Sequence, residues 1–154
     1  MLSDGTVVGS FTDWAVEVEP RLRQSLTALF GVQEGLEATA DGLAFAWERW
    51  PDIAVMENSV GYVYGAARKM GRRRLGRRPV FLPVPDQRTQ WVEPGLPSAL
   101  ADLSEQQRLV VALLHGYQWT MSEVAELLGI SKSTVQNHDD RGLQALREKL
   151  GVES

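Results

Sequence analysis

Residues 120–140 read TMSEVAELLGISKSTVQNHDD, and this stretch decides how the C-terminal half of the chain folds. Thr120 and Glu123 have the spacing of a capping box, which begins a helix. Gly129 permits the left-handed backbone of a tight turn, and Ser131 then begins a second helix. The pattern predicts a helix-turn-helix, a motif that places its second helix in the major groove of DNA.

The second helix of this motif presents side chains suited to DNA in its first turns. Lys132 and the helix N-terminus suit a phosphate, Gln136 and Asn137 can hydrogen-bond adenine, and Thr134 can touch a thymine methyl group. Ser133 lies in the same turn. A plain helical hairpin with accidental small residues is the alternative, but the two caps, the glycine and the spacing agree on DNA binding.

Prolines divide the chain into two parts. Five of the seven prolines fall between residues 79 and 97, and proline removes a backbone donor and disfavours helix at the residue before it. We therefore expect an extended linker over 79–97, which joins an N-terminal domain (1–78) to a C-terminal domain (98–154). No alternating strand pattern persists in the sequence, so the predicted fold is all-α, with two small helical domains.

Apolar spacing and capping residues predict the individual helices. In the N-terminal domain one helix ends at Gly31, with Pro20 starting or kinking it, a second runs from about Leu36 to Trp50, and a third begins near Ser59. Trp47 and Tyr64 lie on apolar stripes and are expected in the core. In the C-terminal domain we expect four helices: one near 96–103, one from the Ser104–Gln107 capping box to Gly116, one from Thr120 to Gly129, and one from Ser131 to about Lys149.

Charge is distributed unevenly along the chain. The net charge is −4, yet residues 68–78 hold seven positive side chains and no acid. Such a patch can hold phosphates locally while the acidic remainder limits non-specific binding, although a solvated charge run is an equally open interpretation. The seven are Arg68, Lys69, Arg72, Arg73, Arg74, Arg77 and Arg78.

Composition argues against several other classes of protein. The chain has no cysteine, which excludes disulfides and thiolate chemistry and suits a reducing cytoplasm. No apolar run is long enough to span a membrane. His115 and His138 are 23 residues apart, without metal-ligand spacing, and no phosphate loop or nucleophile elbow is present. We expect a cytoplasmic, non-enzymatic protein without metal or cofactor.

Four segments of the C-terminal half resemble the matching domain of extracytoplasmic-function (ECF) sigma factors of bacterial RNA polymerase. They are LSEQQR at 103–108, EVAELLGIS at 123–131, TVQNH at 134–138 and RGLQALR at 141–147. In that family this domain reads the −35 promoter element and rests on the flap of the polymerase β subunit. The resemblance implies that Lys132, Ser133, Thr134, Gln136, Asn137, His138 and Arg141 contact the −35 element.

The N-terminal half resembles the family's other domain more weakly. GYVYGAARK at 61–69, followed by arginines, is similar to the helix that opens and binds the −10 element; LEATADGLAFAW at 36–47 is similar to the helix that grips the β′ clamp. The resemblance implies core-polymerase contacts from Glu37, Asp41, Leu43 and Trp47. It implies −10 contacts from Trp50, Asn58 and the seven basic residues, with the 51–58 loop as the pocket for an unstacked base.

Linker length agrees with this interpretation. The 19 residues of 79–97 span about 60 Å at roughly 3.1–3.5 Å per residue. A spacer of roughly 17 base pairs between promoter elements also spans about 60 Å. The expected partners are core polymerase, promoter DNA and, as for many family members, an anti-sigma factor. A stand-alone helix-turn-helix regulator that binds DNA as a dimer is the alternative function.

The sequence departs from the family pattern at two places. Ala40 stands where the clamp-binding helix usually has glutamine, and Asp139 stands at a usually apolar position with Asp140 beside it. An acid on an apolar helix face loses hydration unless it finds a donor. We expect Asp139 to be such a residue, with Arg108 as its nearest partner.

Overall fold

The computed structural model describes residues 4–76 and 96–151, and every regular element within those two ranges is helical. This confirms the predicted all-α fold. The predicted linker, up to the start of α5, lies outside the described residues, as do Arg77 and Arg78. The helices are α1 (Asp4–Phe30), α2 (Val32–Glu48), α3 (Trp50–Ile53), α4 (Ser59–Leu75), α5 (Leu96–Ala101), α6 (Glu105–Val111), α7 (Met121–Leu128) and α8 (Lys132–Leu150).

The first helix, α1, supplies leucine side chains to the centre of the N-terminal core. Leu22 and Leu26 are completely buried on it, as their helical spacing predicts. The helix begins well before Pro20, which lies inside it rather than at its start. Gly31 has a φ of 98°, a conformation open to glycine, and it lets the chain leave α1 and enter α2 at once.

The second helix, α2, packs through a face of small residues. Gly35, Ala38, Gly42 and Ala46 are buried on it. A Cβ atom added at Gly35 would lie 2.5 Å from the Cα of Thr27 on α1. The backbones of the two helices are therefore in near contact, and the face that α2 buries is not its most hydrophobic one.

An aromatic cluster closes one end of the N-terminal helices. Phe11 and Trp14 on α1 meet Trp47 and Trp50, with ring centroids 5.1–5.9 Å apart. Trp14 donates a hydrogen bond of 2.9 Å from Nε1 to the hydroxyl of Ser59. The start of α4 is thereby tied to α1, and the 54–58 loop is held between them.

The C-terminal helices begin and end where local signals place them. The predicted capping boxes of α6 and α7 are both present. A π-helical turn, Ala112–Gly116, continues α6 up to the predicted end at Gly116. Helix α8 crosses α6 at Gly142, where an added Cβ would lie 2.7 Å from Val111.

The two groups of helices pack against each other. Leu109, Val110 and Leu113 belong to the same buried cluster as Leu22 and Leu26 of α1. The two predicted domains therefore share one hydrophobic core in this arrangement. Within the described residues, no helix is both long enough and apolar enough to cross a membrane.

Candidate nucleic-acid and polymerase interfaces

Helices α7 and α8 form the predicted helix-turn-helix. Gly129 adopts the left-handed conformation, with φ 67° and ψ 36°, and ends α7. The Ser131 hydroxyl accepts a hydrogen bond of 3.1 Å from the backbone N–H of Thr134 and so caps α8. Val124 of α7 and Val135 of α8 are completely buried between the helices and the rest of the domain, which fixes the angle between them.

The first turns of α8 leave most of the predicted −35 residues open to solvent. Lys132, Ser133, Gln136, Asn137 and Arg141 are exposed, and Thr134 and His138 are half-buried. These side chains follow a helix start whose N–H groups face outward, as an approaching phosphate requires. One of them already has a partner: the Gln136 amide donates to the Asp140 carboxylate at 2.7 Å.

The partner expected for Asp139 was wrong. The Asp139 side chain is only 6% exposed, and its carboxylate lies 2.9 Å from Nε2 of His115, at the end of the π-helical turn. Arg108 is buried on α6, and its Nε and Nη2 have no hydrogen-bond partner within the described part of the chain. Burial lowers the pKa of Arg108, although the charge of Glu105 opposes the change.

The basic run on α4 divides among three directions, because successive side chains on a helix are about 100° apart. Arg68 and Arg72, four residues apart, both reach Glu105 at the start of α6; the Arg68–Glu105 distance is 2.9 Å. Burial of Glu105 opposes its ionisation, but the hydrogen bonds and charges of Arg72 and Arg68 outweigh this and lower its pKa. These two arginines therefore face the C-terminal helices.

Arg74 points instead towards acidic side chains of α2. Its guanidinium pairs with Glu34 and Asp41 and lies 3.5 Å from Glu37. Glu37 and Asp41 are the acids predicted to bind the polymerase clamp, so the structure brings one predicted DNA contact together with two predicted polymerase contacts.

Lys69 and Arg73 line an open groove between α2 and α4. The groove has a volume of about 600 Å³, and Phe45, Tyr62 and the small residues Gly61, Gly65 and Ala66 form much of its wall. The Phe45 and Tyr62 rings are 5.9 Å apart, and the Arg49 guanidinium lies 4.1 Å from the centre of Phe45. Aromatic faces beside two cations can hold stacked bases and their phosphates.

Two of the aromatic residues, Trp47 and Trp50, differ from their predicted roles. Trp50 is only 5% exposed and lies inside the aromatic cluster, so it is not available to stack on a base. Tyr64 is buried as expected, whereas Trp47 is 46% exposed and was wrongly assigned to the core. Phe45 and Arg49 were not predicted as site residues, although their i, i+4 spacing indicates that the two side chains can meet on one face of the helix.

The exposed face of α2 is apolar and acidic. Leu36 and Trp47 are about half exposed, and Glu37 is exposed beside them. Leu43 and Asp41 are half-buried on the same helix. All four predicted clamp-binding residues therefore lie on α2 with at least part of their surface accessible.

Comparison with known proteins agrees with this arrangement. The sequence model of sigma-70 region 4 matches residues 99–148. Residues 99–148 are a sigma-70 region 4 domain. The fold of the chain is similar to that of the sigma factor RpoE, solved in a co-crystal with the anti-sigma factor NepR from Bartonella quintana. The TM-score is 0.62 and the identity 22%, over 94% of this chain and 98% of that one. No curated protein sequence matches the chain.

The region 4 match agrees with the predicted sigma-factor family, and the likeness to RpoE shows a shared fold. The region 4 domain contains the whole helix-turn-helix, and the fold shared with RpoE extends over the N-terminal helices as well. A stand-alone helix-turn-helix regulator is not favoured, because the sequence model that matches the helix-turn-helix is that of a sigma-factor region.

Proposed function

We propose that the protein is a sigma factor of the ECF type, which binds core RNA polymerase in the cytoplasm and directs it to promoters without catalytic activity of its own. The observation that carries the proposal is the region 4 domain, whose recognition helix α8 presents an exposed polar face. The N-terminal helices supply the two other surfaces that such a factor needs: a groove for an opened strand and an exposed face for the polymerase.

The −35 element is the proposed ligand of α8. Lys132 and Arg141 bind phosphates, and Gln136 and Asn137 read base edges, with Ser133, Thr134 and His138 between them. Asp140 holds Gln136 in the free protein, so Gln136 meets a base with one of its two amide N–H groups already engaged. A lost bidentate base contact costs about 1–3 kcal/mol of discrimination.

The opened −10 strand is the proposed ligand of α4 and the groove beside it. Lys69 and Arg73 bind the strand's phosphates, and Phe45 and Tyr62 supply the stacking surface that the buried Trp50 does not offer. Arg68, Arg72 and Asn58 lie along the adjacent side of α4 and its preceding loop and extend the same surface.

The polymerase clamp is the proposed partner of α2. Leu36, Leu43 and Trp47 supply apolar area, and Glu37 and Asp41 supply charge. Arg74 neutralises part of that charge in the free protein, so a basic partner surface would compete with Arg74 for the two acids. The region 4 domain would contact the β flap, and an anti-sigma factor is a further proposed partner, since RpoE was crystallised with one.

Transcription in vitro tests the proposed function. Core polymerase with this protein should initiate at specific sites in a genomic fragment library, and core polymerase alone should not. Asn137→Ala should change the preference among −35 sequences, whereas Lys69→Gln with Arg73→Gln should weaken initiation at every promoter, because phosphate contacts carry no sequence information.

Lys149→Gln with Arg147→Gln is the matched control, since it removes the same charge from the far end of α8. Tight, sequence-specific binding to duplex DNA by a dimer of the isolated protein would contradict the proposal and favour a stand-alone regulator.

A further inference from the structure

Asp140 lies among the side chains of α8 that we assign to promoter DNA. Gln136, Asn137, Asp140 and Arg141 are all exposed, and residues three or four positions apart on a helix share one face. Asp140 follows Gln136 by four residues, so the two side chains can meet. The face of α8 assigned to DNA therefore carries an acid beside a residue that reads base edges.

The hydrogen bond between these two side chains fixes how the Gln136 amide is turned. The amide nitrogen, Nε2, donates to Oδ1 of Asp140 at 2.7 Å. An ionised carboxylate only accepts hydrogen bonds, so the opposite orientation would bring the amide oxygen against Asp140 and place two acceptors together. Asp140 therefore commits the Gln136 oxygen, Oε1, to the side that faces away from the carboxylate.

A committed acceptor distinguishes two classes of base in the major groove. Adenine presents an exocyclic amino group there at N6, and cytosine presents one at N4. Guanine and thymine present a carbonyl oxygen instead, O6 or O4. Oε1 can bond only the amino bases, and the charge of Asp140 beside it favours the same choice, because a carboxylate attracts an amino group and repels a carbonyl oxygen.

Contact with DNA should strengthen the pair that Gln136 and Asp140 form. An exposed hydrogen bond between residues four positions apart is weak in water. Where DNA excludes water from the helix face, the lower local dielectric strengthens a hydrogen bond to a charged acceptor. Turning the amide round would then leave two acceptors without donors where water no longer reaches them. The orientation seen in the free chain is therefore the one expected on DNA.

We propose that Asp140 is a specificity-determining positioning residue, which acts through Gln136 to restrict one base of the −35 element to adenine or cytosine. The proposal deepens the proposed function and rests on it, since it requires α8 to read DNA. Asp140 also repels the phosphate backbone, and Lys132 and Arg141 oppose that repulsion with positive charge. Selectivity at one base is thereby gained at the expense of overall affinity.

Selection from duplex DNA of random sequence tests the proposal, with the full chain bound to core polymerase and with the full chain alone at low salt. Gln136→Ala first identifies the base that Gln136 reads, as the position at which the preference is lost. Asp140→Ala then removes the carboxylate, and Asp140→Glu keeps it. Sequencing of the bound DNA gives the preference at that position for each variant.

Glu148→Ala is the matched control. Glu148 accepts a hydrogen bond of 3.0 Å from the amide of Gln144, four residues before it, and both residues are exposed. The substitution removes the same charge and the same kind of pair from α8, about 12 Å further along the helix than Asp140. Because Gln136, Asp140 and Glu148 are all exposed, thermal melts should show that each variant folds like the unaltered protein.

At the position that Gln136 reads, the unaltered protein should select adenine or cytosine over guanine and thymine roughly tenfold, a difference of about 1.4 kcal/mol. Asp140→Ala should reduce the preference to about twofold or less, because the freed amide can turn and donate to guanine O6 or thymine O4. Asp140→Glu and Glu148→Ala should keep it. Adenine alone would mean that the second N–H of Gln136 reaches N7. Adenine together with cytosine would mean that Oε1 makes the contact by itself, and both results support the proposal.

Three results would overturn the proposal: guanine or thymine selected at that position, a preference that Asp140→Ala leaves unchanged, or no position that depends on Gln136. Selection by the chain alone separates this from the proposed function. A base preference that depends on Asp140, found with the chain alone while core polymerase initiates nowhere, would overturn the sigma-factor function only. Specific initiation with a −35 preference that Asp140→Ala does not change would overturn the role of Asp140 only.

Discussion

Removal of His115 should destabilise the protein more than removal of its partner Asp139. The His115 side chain is 51% exposed and the Asp139 side chain is 6% exposed. His115→Ala leaves a buried carboxylate without its donor, at a cost of about 1–3 kcal/mol. In Asp139→Leu the imidazole is returned to water, and the leucine gains apolar contact on the stripe of Val135 and Leu143, so we expect no loss and a small gain.

Thermal and urea unfolding of the full chain measure the effect. For a domain of this size, 1 kcal/mol shifts the Tm by about 2–4 °C, so His115→Ala should lower it by roughly 2–12 °C. The double variant His115→Ala with Asp139→Leu should recover most of that loss, because it contains no buried carboxylate. His138→Ala is the control, since it removes the chain's other histidine.

A Tm for His115→Ala within about 1 °C of the unaltered protein would contradict the reasoning, because it would show that the buried carboxylate does not depend on its donor. So would a larger loss for Asp139→Leu than for His115→Ala. That second result would mean that the carboxylate stabilises the packing of α8 through a contact that leucine cannot replace.

Three further predictions concern packing, capping and charge. Gly35→Ala should lower the free energy of unfolding by about 1–3 kcal/mol, since its Cβ would lie 2.5 Å from the Thr27 backbone. The Cβ of Gly65→Ala would meet nothing within 4 Å, so that variant should be tolerated. Urea unfolding compares the two variants. Thr120→Ala should cost about 1 kcal/mol by removal of the α7 cap, measured in the same way. Because the pKa of Glu105 is lowered from 4.5 by Arg72 and Arg68, its stabilising contribution is present above that pH and lost as the pH falls through the lowered value. Urea unfolding at neutral and at acidic pH should show this loss, and a smaller one in Glu105→Gln.

Helix boundaries were predicted best where local interactions set them. The capping boxes of α6 and α7 and the left-handed turn at Gly129 depend on residues three to five positions apart, and such interactions can be read directly from a sequence. These local interactions were enough to predict the all-α fold class and the exposed face of α8. Arg77, Arg78 and residues 79–95 of the predicted linker lie outside the described residues, and the roles expected of them stay predictions.

Faces of helices were predicted less well, because burial is decided by the neighbouring helix. Large apolar residues were expected to mark the core side of α2, yet Trp47 is half exposed while Gly42 is buried. Gly42 has almost no apolar area of its own, and only the close approach of Ala67 explains its position.

Contacts between distant residues could not be predicted at all. Glu105 is 37 residues from Arg68 along the chain, and His115 is 24 from Asp139. Each pair is a single contact set by the packing of whole helices. The spacing of the arginines did not show that Arg72 would pair with Glu105 and Arg74 with Asp41.

The two faces of α2 predict how mutations will be tolerated along this helix during evolution. On the inner face the only substitutions that fit are between glycine, alanine and residues of similar size, because the backbone of α1 and the side chains of α4 leave no volume for more. On the exposed outer face side-chain size is not limited in this way, so substitutions there can follow changes in the surface of a binding partner. A deep mutational scan selected for folding alone should therefore show a sharp alternation of intolerant and permissive sites through 35–47, in register with the helical turn.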